Sequence, residues 1–420
     1  MPGSEMSRPC KRCKVEDAPF QLRTDPTCRD CYVHYVALKM GKRLGQLHRD
    51  IRVSRLPTAR RYIAGLSFGP SSSALVELLD DTGRRLSLKK STSPFNPLVV
   101  HVDTDLSARE DSPARKLIEE YRRRFSHVEF ECVPLSDVLA VRSIDWSALP
   151  LPVEDGSVID PAARLQRLFD ALPTVTSRAD LLRQFIRHLL LHIALKSSCS
   201  ALLLGHSTSA LAALTLSEVA NGRGFAVPWQ VNDGLCTICT YPAPGTSTNG
   251  SDTTATGKET AQIEFPVYYP MREVFRNEIL QYIDLVPALS GLVPTDQMTI
   301  GGSSSVVSHK DLSIEEVMAR YFDSVEDSYS GIVANVVRTT GKLERVAGED
   351  FCGSCGMTVD DQGDSRWAGE IGDDPNFKSN KKRHAPFSRV IESMRLELPK
   401  MRRLLFANSV TQAMPNAPNI

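Results

Sequence analysis

The stretch Arg61-Tyr-Ile-Ala-Gly-Leu-Ser-Phe-Gly-Pro-Ser-Ser-Ser73 decides the fold. Tyr62–Leu66 is a short apolar run suited to a buried strand, a Gly/Pro/Ser loop follows, and Ser72–Leu79 opens a helix. A strand that turns through such a loop into a helix gathers backbone N–H groups and a positive helix end at one point, an arrangement that suits an anion.

The same alternation continues outward. Residues 97–102 form a second apolar strand, and a charged helix spans Ser112 to Phe125. His127–Val133 alternates as a third strand. Ser177-Arg-Ala-Asp180 reads as a capping box for a helix with Leu181, Leu182, Phe185, Ile186, Leu189, Leu190, Ile193 and Ala194 on one stripe. Ser200–Leu204 is a fourth strand and Ser207–Ala220 another helix. Strand–helix alternation of this kind predicts an α/β fold, a parallel sheet with helices on both faces. Two stretches interrupt it: a small, polar and disordered insert at 241–262, and an exposed loop at 359–384 that runs from acidic to basic.

With 420 residues, 41% of them hydrophobic, the chain can bury a substantial core, and its formal net charge of zero selects no partner. Local charge says more. Residues 1–61 carry 14 Lys/Arg against 6 Asp/Glu, a basic region able to meet phosphates, although a solvated surface has the same composition. The first residues lack the apolar core of a signal peptide, and no apolar run approaches the roughly 18 residues of a membrane span. A soluble intracellular protein with reduced thiols and no membrane contact is therefore expected, and paired thiols in that setting indicate metal or redox chemistry.

The pairs are present. Cys10, Cys13, Cys28 and Cys31 have the spacing C-x2-C-x14-C-x2-C, in which two tight turns each present two thiolates to one tetrahedral zinc ion. Four thiolates close the coordination sphere, so the expected role is structural, with the metal replacing a core too small to fold alone. Cys352-Gly-Ser-Cys355 is half of a similar site. Cys236-Thr-Ile-Cys239 is a candidate second half, but it lies in a β-like stretch where positions three apart face opposite sides; buried thiols are the simpler reading there.

Two sharper readings of the loop compete. Gly65-Leu-Ser67-Phe-Gly69 matches the G-x-S-x-G elbow of α/β-hydrolases, with Ser67 as nucleophile. Against it stand its place on the first strand, the lack of a His-Gly-Gly-Gly-like oxyanion segment, and a zinc module foreign to that chemistry. The loop also resembles a degenerate Ser-Gly-Gly-x-Asp-Ser pyrophosphate loop of N-type ATP pyrophosphatases. Ser67, Gly69 and Ser72 survive, Phe68 replaces a Gly and Ser71 the Asp, with Ser73 beside them. Asp103 closes the second strand as in that family. Gly205-His206 matches the start of its Gly-His-Asn-x-Asp-Asp segment, with Ser209 and Ala210 in place of the acidic pair. Carboxylates would hold Mg²⁺ against ATP, so their replacement removes the means of adenylation. Phe68 adds bulk where a backbone must approach a pyrophosphate closely.

Taken with Asn221-Gly-Arg-Gly224, Tyr269-Pro-Met-Arg-Glu273 and the late Cys-x-x-Cys, the chain resembles the cytosolic tRNA 2-thiolation protein 2 family over about residues 8–357. The resemblance implies an adenine nucleotide alpha hydrolase-like domain of the PP-loop type. It implies a non-catalytic subunit, with no catalytic residue of its own, in a cytoplasmic heterodimer that 2-thiolates the wobble uridine of tRNA. ATP is then used by the catalytic partner and not bound by this chain, and sulfur comes from a thiocarboxylated ubiquitin-related modifier. The expected division is a zinc module at 1–41, a basic connector at 42–60, the PP-loop domain at 61–345, and a C-terminal region at 346–420 with a knuckle and a helical tail. Arg52, Arg55, Arg60 and Arg61, and Arg122, Arg123 and Arg124, are candidate tRNA contacts. The competing functions are a divergent ATP-dependent tRNA thiolase active by itself, a pure interaction scaffold, and the Ser67 hydrolase.

Overall fold

Strand alternation and helix capping account for the architecture of the computed structural model, which describes residues 8–14, 17–51, 61–89, 95–107, 112–149, 160–241, 261–294, 312–345 and 351–359. A hairpin of β1 (Phe20–Leu22) and β2 (Asp25–Thr27) leads into α1 (Arg29–Asp50). Sequence reading ended this helix near Met40 and began a connector at Lys42. The helix instead continues to Asp50, because its buried stripe of Tyr32, Val36 and Met40 extends through Leu44 and Leu47. The rest of the expected connector, including Arg52, Arg55 and Arg60, lies outside the described residues.

The main domain follows as β3 (Tyr62–Gly65), α2 (Pro70–Leu88), β4 (Leu98–Asp103), α3 (Pro113–Arg124), β5 (Glu129–Pro134), α4 (Pro161–Ala171), α5 (Val175–Lys196), β6 (Ala201–Leu203), α6 (Thr208–Ala220), α7 (Val227–Val231), β7 (Gly234–Thr240), β8 (Ala261–Tyr268), α8 (Arg276–Leu285) and α9 (Ile314–Thr340). Six strands form one sheet in the order β5-β4-β3-β6-β8-β7. The α/β expectation holds: every pairing is parallel except β7 with β8, an antiparallel edge that the sequence reading did not foresee. Residues 242–260 between those two strands, residues 360–384 and the expected helical tail lie outside the described residues, while Ala261 and Gln262, read as insert, belong to β8.

Alternation along the central strands sends side chains into two cores. Ile63 and Leu202 pack with α4, α5, α6, α7 and α9, whereas Tyr62, Ala64, Ala201 and Leu203 pack with α1, α2, α3 and α8. Parallel strands buried on both faces are the reason these segments read as continuous apolar runs rather than alternating ones. Among the described residues no helix is long and apolar enough to cross a membrane.

The cap of α5 differs from expectation. Thr174, in extended backbone, receives the Ser177 N–H, and Ser177 Oγ returns to the Thr174 N–H. Asp180 is therefore inside the helix, where it is buried and accepts from both terminal nitrogens of Arg223, at 2.8 and 2.5 Å. Glu218 completes this network with Arg183 and Arg223, and Glu315, in the first turn of α9, joins through Arg183 at 3.4 Å.

Three carboxylates thus share two guanidinium groups. Burial first, and then the Asp180 charge, push the Glu315 carboxyl up to about 7 despite Arg183. The folded state consequently holds this proton more tightly than the unfolded chain. The stabilisation is complete below an ordinary glutamate value and is lost as pH rises through about 7. Equilibrium urea unfolding from pH 5 to 8 should show stability falling with pH, and Glu315→Gln should remove on the order of 2–3 kcal/mol of that dependence. An unchanged slope in the variant would show that Glu315 ionises normally.

Candidate functional site

Two places in the chain gather chemistry-bearing side chains. The first is the N-terminal quartet. Cys10 and Cys13 occupy a turn closed by the Lys14 N–H on the Cys10 carbonyl, at 2.7 Å, with Lys14 at φ 65°. Cys28 is the N-cap of α1, and Cys31 lies in the first turn of that helix. The ligand atoms of Cys10, Cys13, Cys28 and Cys31 all fall within 4.8 Å of one another, so the four thiols can hold a metal ion. Burial opposes ionisation of Cys10, but N–H groups of Cys13, Cys28 and Arg12 hold its thiol down to about 6. Donors aimed at sulfur fit thiolate ligation. The module is fastened to the main domain by Arg23 on Glu278 at 3.0 Å and by Arg29 on the Leu285 carbonyl at 2.8 Å.

The second place is the loop after β3. Gly69 caps α2, and the helix starts at Pro70, whose missing N–H costs nothing there. The polar atoms of the loop answer one another. Ser72 Oγ accepts from the Ser67 N–H at 3.2 Å, lies 3.1 Å from Ser67 Oγ and donates to the Gly69 carbonyl at 3.0 Å. Ser67 Oγ in turn accepts from the Gly69 N–H at 3.4 Å, and Ser73 Oγ reaches Gly69 O and Tyr121 OH. The N–H groups of Ser67 and Gly69, which an incoming phosphate would require, are thus already engaged. Ser71 stands partly buried at the start of the helix.

Phe68 acts differently from its sequence reading. At φ 60° its ring turns inward, 7% exposed, and stacks 4.2 Å from His101 and 5.6 Å from Tyr121. Its bulk is thus taken into the core rather than set across the loop, and it is the serine hydroxyls that engage the Ser67 and Gly69 N–H groups. His101 is fixed by donating Nδ1–H to the Leu66 carbonyl at 2.8 Å.

The remaining landmarks converge on the same end of the sheet. Asp103 is buried, accepting from Ser112 Oγ at 2.8 Å and from the Asp105 N–H at 3.2 Å, so it organises the entry to α3. Gly205 lies against the loop: a Cβ there would come within 2.9 Å of Ser72 Cα, and only glycine permits that approach. His206 packs edge-on against Tyr269, its Nδ1 buried, and burial, reinforced by Arg187 and Arg183, drives its pKa down to about 4, leaving the ring neutral. Ser209, at the position of the family's acidic pair, donates to Glu326 of α9. Glu326 also accepts from the Arg276 and Asn277 N–H groups at 3.3 and 2.8 Å, capping α8. Sequence reading missed Glu326, which lies 117 residues from Ser209. Asp323 and Asp327 flank it in the sequence, so nothing local singled it out.

The candidate arginines are less convergent. Arg122 and Arg123 pair with Glu119 and Glu120, Arg124 donates to the carbonyls of Ala288 and Ser290, and Arg61 pairs with Glu129 at 3.0 Å. Arg61 and Arg122 share a shallow depression with Glu129 and Glu131. As for the hydrolase reading, among the described residues the Ser67 hydroxyl bonds to serine and backbone and to no histidine.

Comparison with known proteins follows this geometry. Residues 313–396 match the family described as cytoplasmic tRNA 2-thiolation protein 2. The chain is similar to proteins of that name from Pyrenophora tritici-repentis, at 32% identity over 90% of this chain and 93% of the relative, and from Phaeosphaeria nodorum, at 33% over 88% and 91%. It also shares its fold with the U34-tRNA thiolase NcsA from Methanococcus maripaludis, solved with its 4Fe-4S cluster. That likeness has a TM-score of 0.50 and 14% identity, and covers 87% of this chain and 97% of that one.

Two outcomes follow from the geometry. Isothermal titration of the purified chain with Mg²⁺-ATP should give no binding tighter than about 1 mM; micromolar affinity would show that the serine-filled loop opens. Cys28→Ser should make residues 8–50 sensitive to limited proteolysis while the cleavage pattern of the sheet domain stays that of the wild type.

Proposed function

This chain belongs to the cytoplasmic tRNA 2-thiolation protein 2 family, and from that premise we propose that it is the non-catalytic subunit of a cytoplasmic complex that 2-thiolates the wobble uridine of tRNA. The observation that carries the non-catalytic part is the self-satisfied loop on a thiolase fold. Ser67, Gly69 and Ser72 bond to one another, so two of the loop's N–H donors are taken, and Ser209 and Ala210 stand where metal-holding carboxylates would. An adenylating site needs both.

Chemistry in this reading belongs to a catalytic partner of the same fold. The uridine C2 oxygen attacks the α-phosphate of ATP and releases pyrophosphate. The thiocarboxylate sulfur of a ubiquitin-related modifier then bonds to C2 and expels AMP, and water cleaves the acyl–sulfur bond to leave thiouridine and the modifier's carboxylate. This chain contributes surface for the partner and for tRNA. Its N-terminal module, with zinc as the metal that four thiolates favour, offers exposed Lys11, Arg12 and Lys14 beside the cluster. Arg12 lies 4.5 Å over the Tyr35 ring, a preorganised cation beside an aromatic face of the kind single-stranded nucleotides use. The 61–345 segment is then the decayed nucleotide domain, and the Arg61 and Arg122 depression is a weaker candidate for phosphate contact because its acids already neutralise it.

Mass spectrometry of tRNA nucleosides from cells lacking this protein tests the reading. Wobble 2-thiouridine derivatives should disappear and return with the wild-type chain. They should return equally with Ser67→Ala, Ser72→Ala, marking the loop as a relic. Unchanged thiolation in the deletion strain would end the assignment. Failure of the double alanine variant alone, in a folded protein, would instead favour a thiolase that acts by itself.

A further inference from the structure

The turn at Cys352–Cys355 repeats the turn at Cys10–Cys13. In each, the N–H four residues on closes onto the carbonyl of the first cysteine, 2.7 Å for Lys14 on Cys10 and 2.8 Å for Gly356 on Cys352. In each, that closing residue has left-handed backbone, φ 65° at Lys14 and 68° at Gly356. In each, a second thiol follows three residues after the first. An isolated antiparallel bridge brackets each turn, Pro9 with Asp17 and Phe351 with Thr358. A turn closed in this way, with a second thiol three residues after the first, has the form of a metal knuckle.

The second knuckle does not stand alone. The Asp145 N–H donates to Gly353 O at 3.0 Å. His188 donates Nε2–H to Ser354 O at 3.1 Å and accepts on Nδ1 from Ser143 Oγ at 2.8 Å, so both its nitrogens are used and it cannot serve as ligand. These contacts set the turn against β7. There Cys239 presents its thiol 3.6 Å from Gly356 O and 3.8 Å from Tyr241 OH. Cys236, on the opposite side of the strand, lies 3.8 Å from Arg187. Cys239 and Cys355 are both buried.

We propose that Cys352 and Cys355, with Cys239 as the third thiolate, form a second site for a soft divalent metal of the zinc class, clamping the C-terminal hairpin to the β7 edge. Among the described residues only the N-terminal quartet has all its ligand atoms within 4.8 Å, so binding at this second site requires the three sulfurs to draw together around the ion. Three thiolates leave one tetrahedral position for a water or an outside donor, which distinguishes this site from the closed N-terminal one. The inference is independent of the thiolation reading.

Metal content of the full-length chain, purified under reducing conditions, is the test, with native mass spectrometry counting ions and elemental analysis identifying them. Two zinc ions per chain are expected. Cys352→Ser, Cys355→Ser should retain one, Cys239→Ser one, and Cys10→Ser, Cys13→Ser one, whereas Cys236→Ser should retain two. In the wild type, Cys239, Cys352 and Cys355 should resist alkylation until a chelator is added, a readout that needs no variant to fold. One zinc ion in the wild type, or two in the Cys352→Ser, Cys355→Ser protein, would overturn the site. Two ions in Cys239→Ser would overturn the third ligand, and a Cys352–Cys355 disulfide in the purified chain would replace the metal by a redox pair.

Discussion

Arg187 on α5 and Arg223 just after α6 bury their guanidinium groups, and a buried charge must be answered on every side. Arg223 takes both oxygens of Asp180 and of Glu218. Arg187 reaches Tyr269 OH and Trp229 O at 3.2 Å each. Tyr269 in turn bonds to Gln230 O, and its N–H to Asp233 at 2.8 Å. Asp233 also pairs with Arg43 of α1 and with Arg272. One continuous polar chain therefore runs from the N-terminal module through the loop before β7 to the middle of α5. Removing a single member would strand a buried charge, at a cost of roughly 3–5 kcal/mol. Tyr269-Pro-Met-Arg-Glu273 supplies two of these links, Tyr269 and Arg272, while Asn221-Gly-Arg-Gly224 supplies Arg223 to the separate cluster around Asp180.

Local features were legible in the sequence because local physics specifies them. The apolar runs of β3 and β4, the stripe of α5 and the paired cysteines each depend on residues within a few positions of one another. The cap of α5 was misplaced by three residues because Ser177 serves equally well as N-cap or as the N3 partner of Thr174. Asp180 was misread as part of a box because its true partner, Arg223, is 43 residues away. Ser209 with Glu326, and Cys239 with Gly356, are each separated by 117 residues. No pattern in a single sequence announces such pairs, and they are what shuts the candidate site and seats the second knuckle.

The loop after β3 is held by its own side chains. The serine hydroxyls take up the Ser67 and Gly69 N–H groups, which would otherwise need another acceptor. Phe68 contributes a ring to the core between His101 and Tyr121, an exchange that offsets the strain of its left-handed backbone. Gly205 retains its close approach to Ser72 because that contact packs β6 against α2 whether or not a nucleotide is present. What persists of the ancestral geometry is thus the part that packing also requires.

The position of α9 has a consequence for how the molecule is made. This helix lies along α6, and its Glu326 supplies the acceptor for Ser209 and for the first N–H groups of α8. Ribosomes add residues from the N-terminus at about 5–20 per second, so the 117 residues between Ser209 and Glu326 take about 6–23 s to synthesise. Through that interval α6 has emerged without its cover, and its apolar flank is open to any other chain nearby. The nascent protein must wait for its own late segment or borrow a chaperone, and arrest of translation before α9 leaves a product with the sheet's sequence but no lid for one of its two cores.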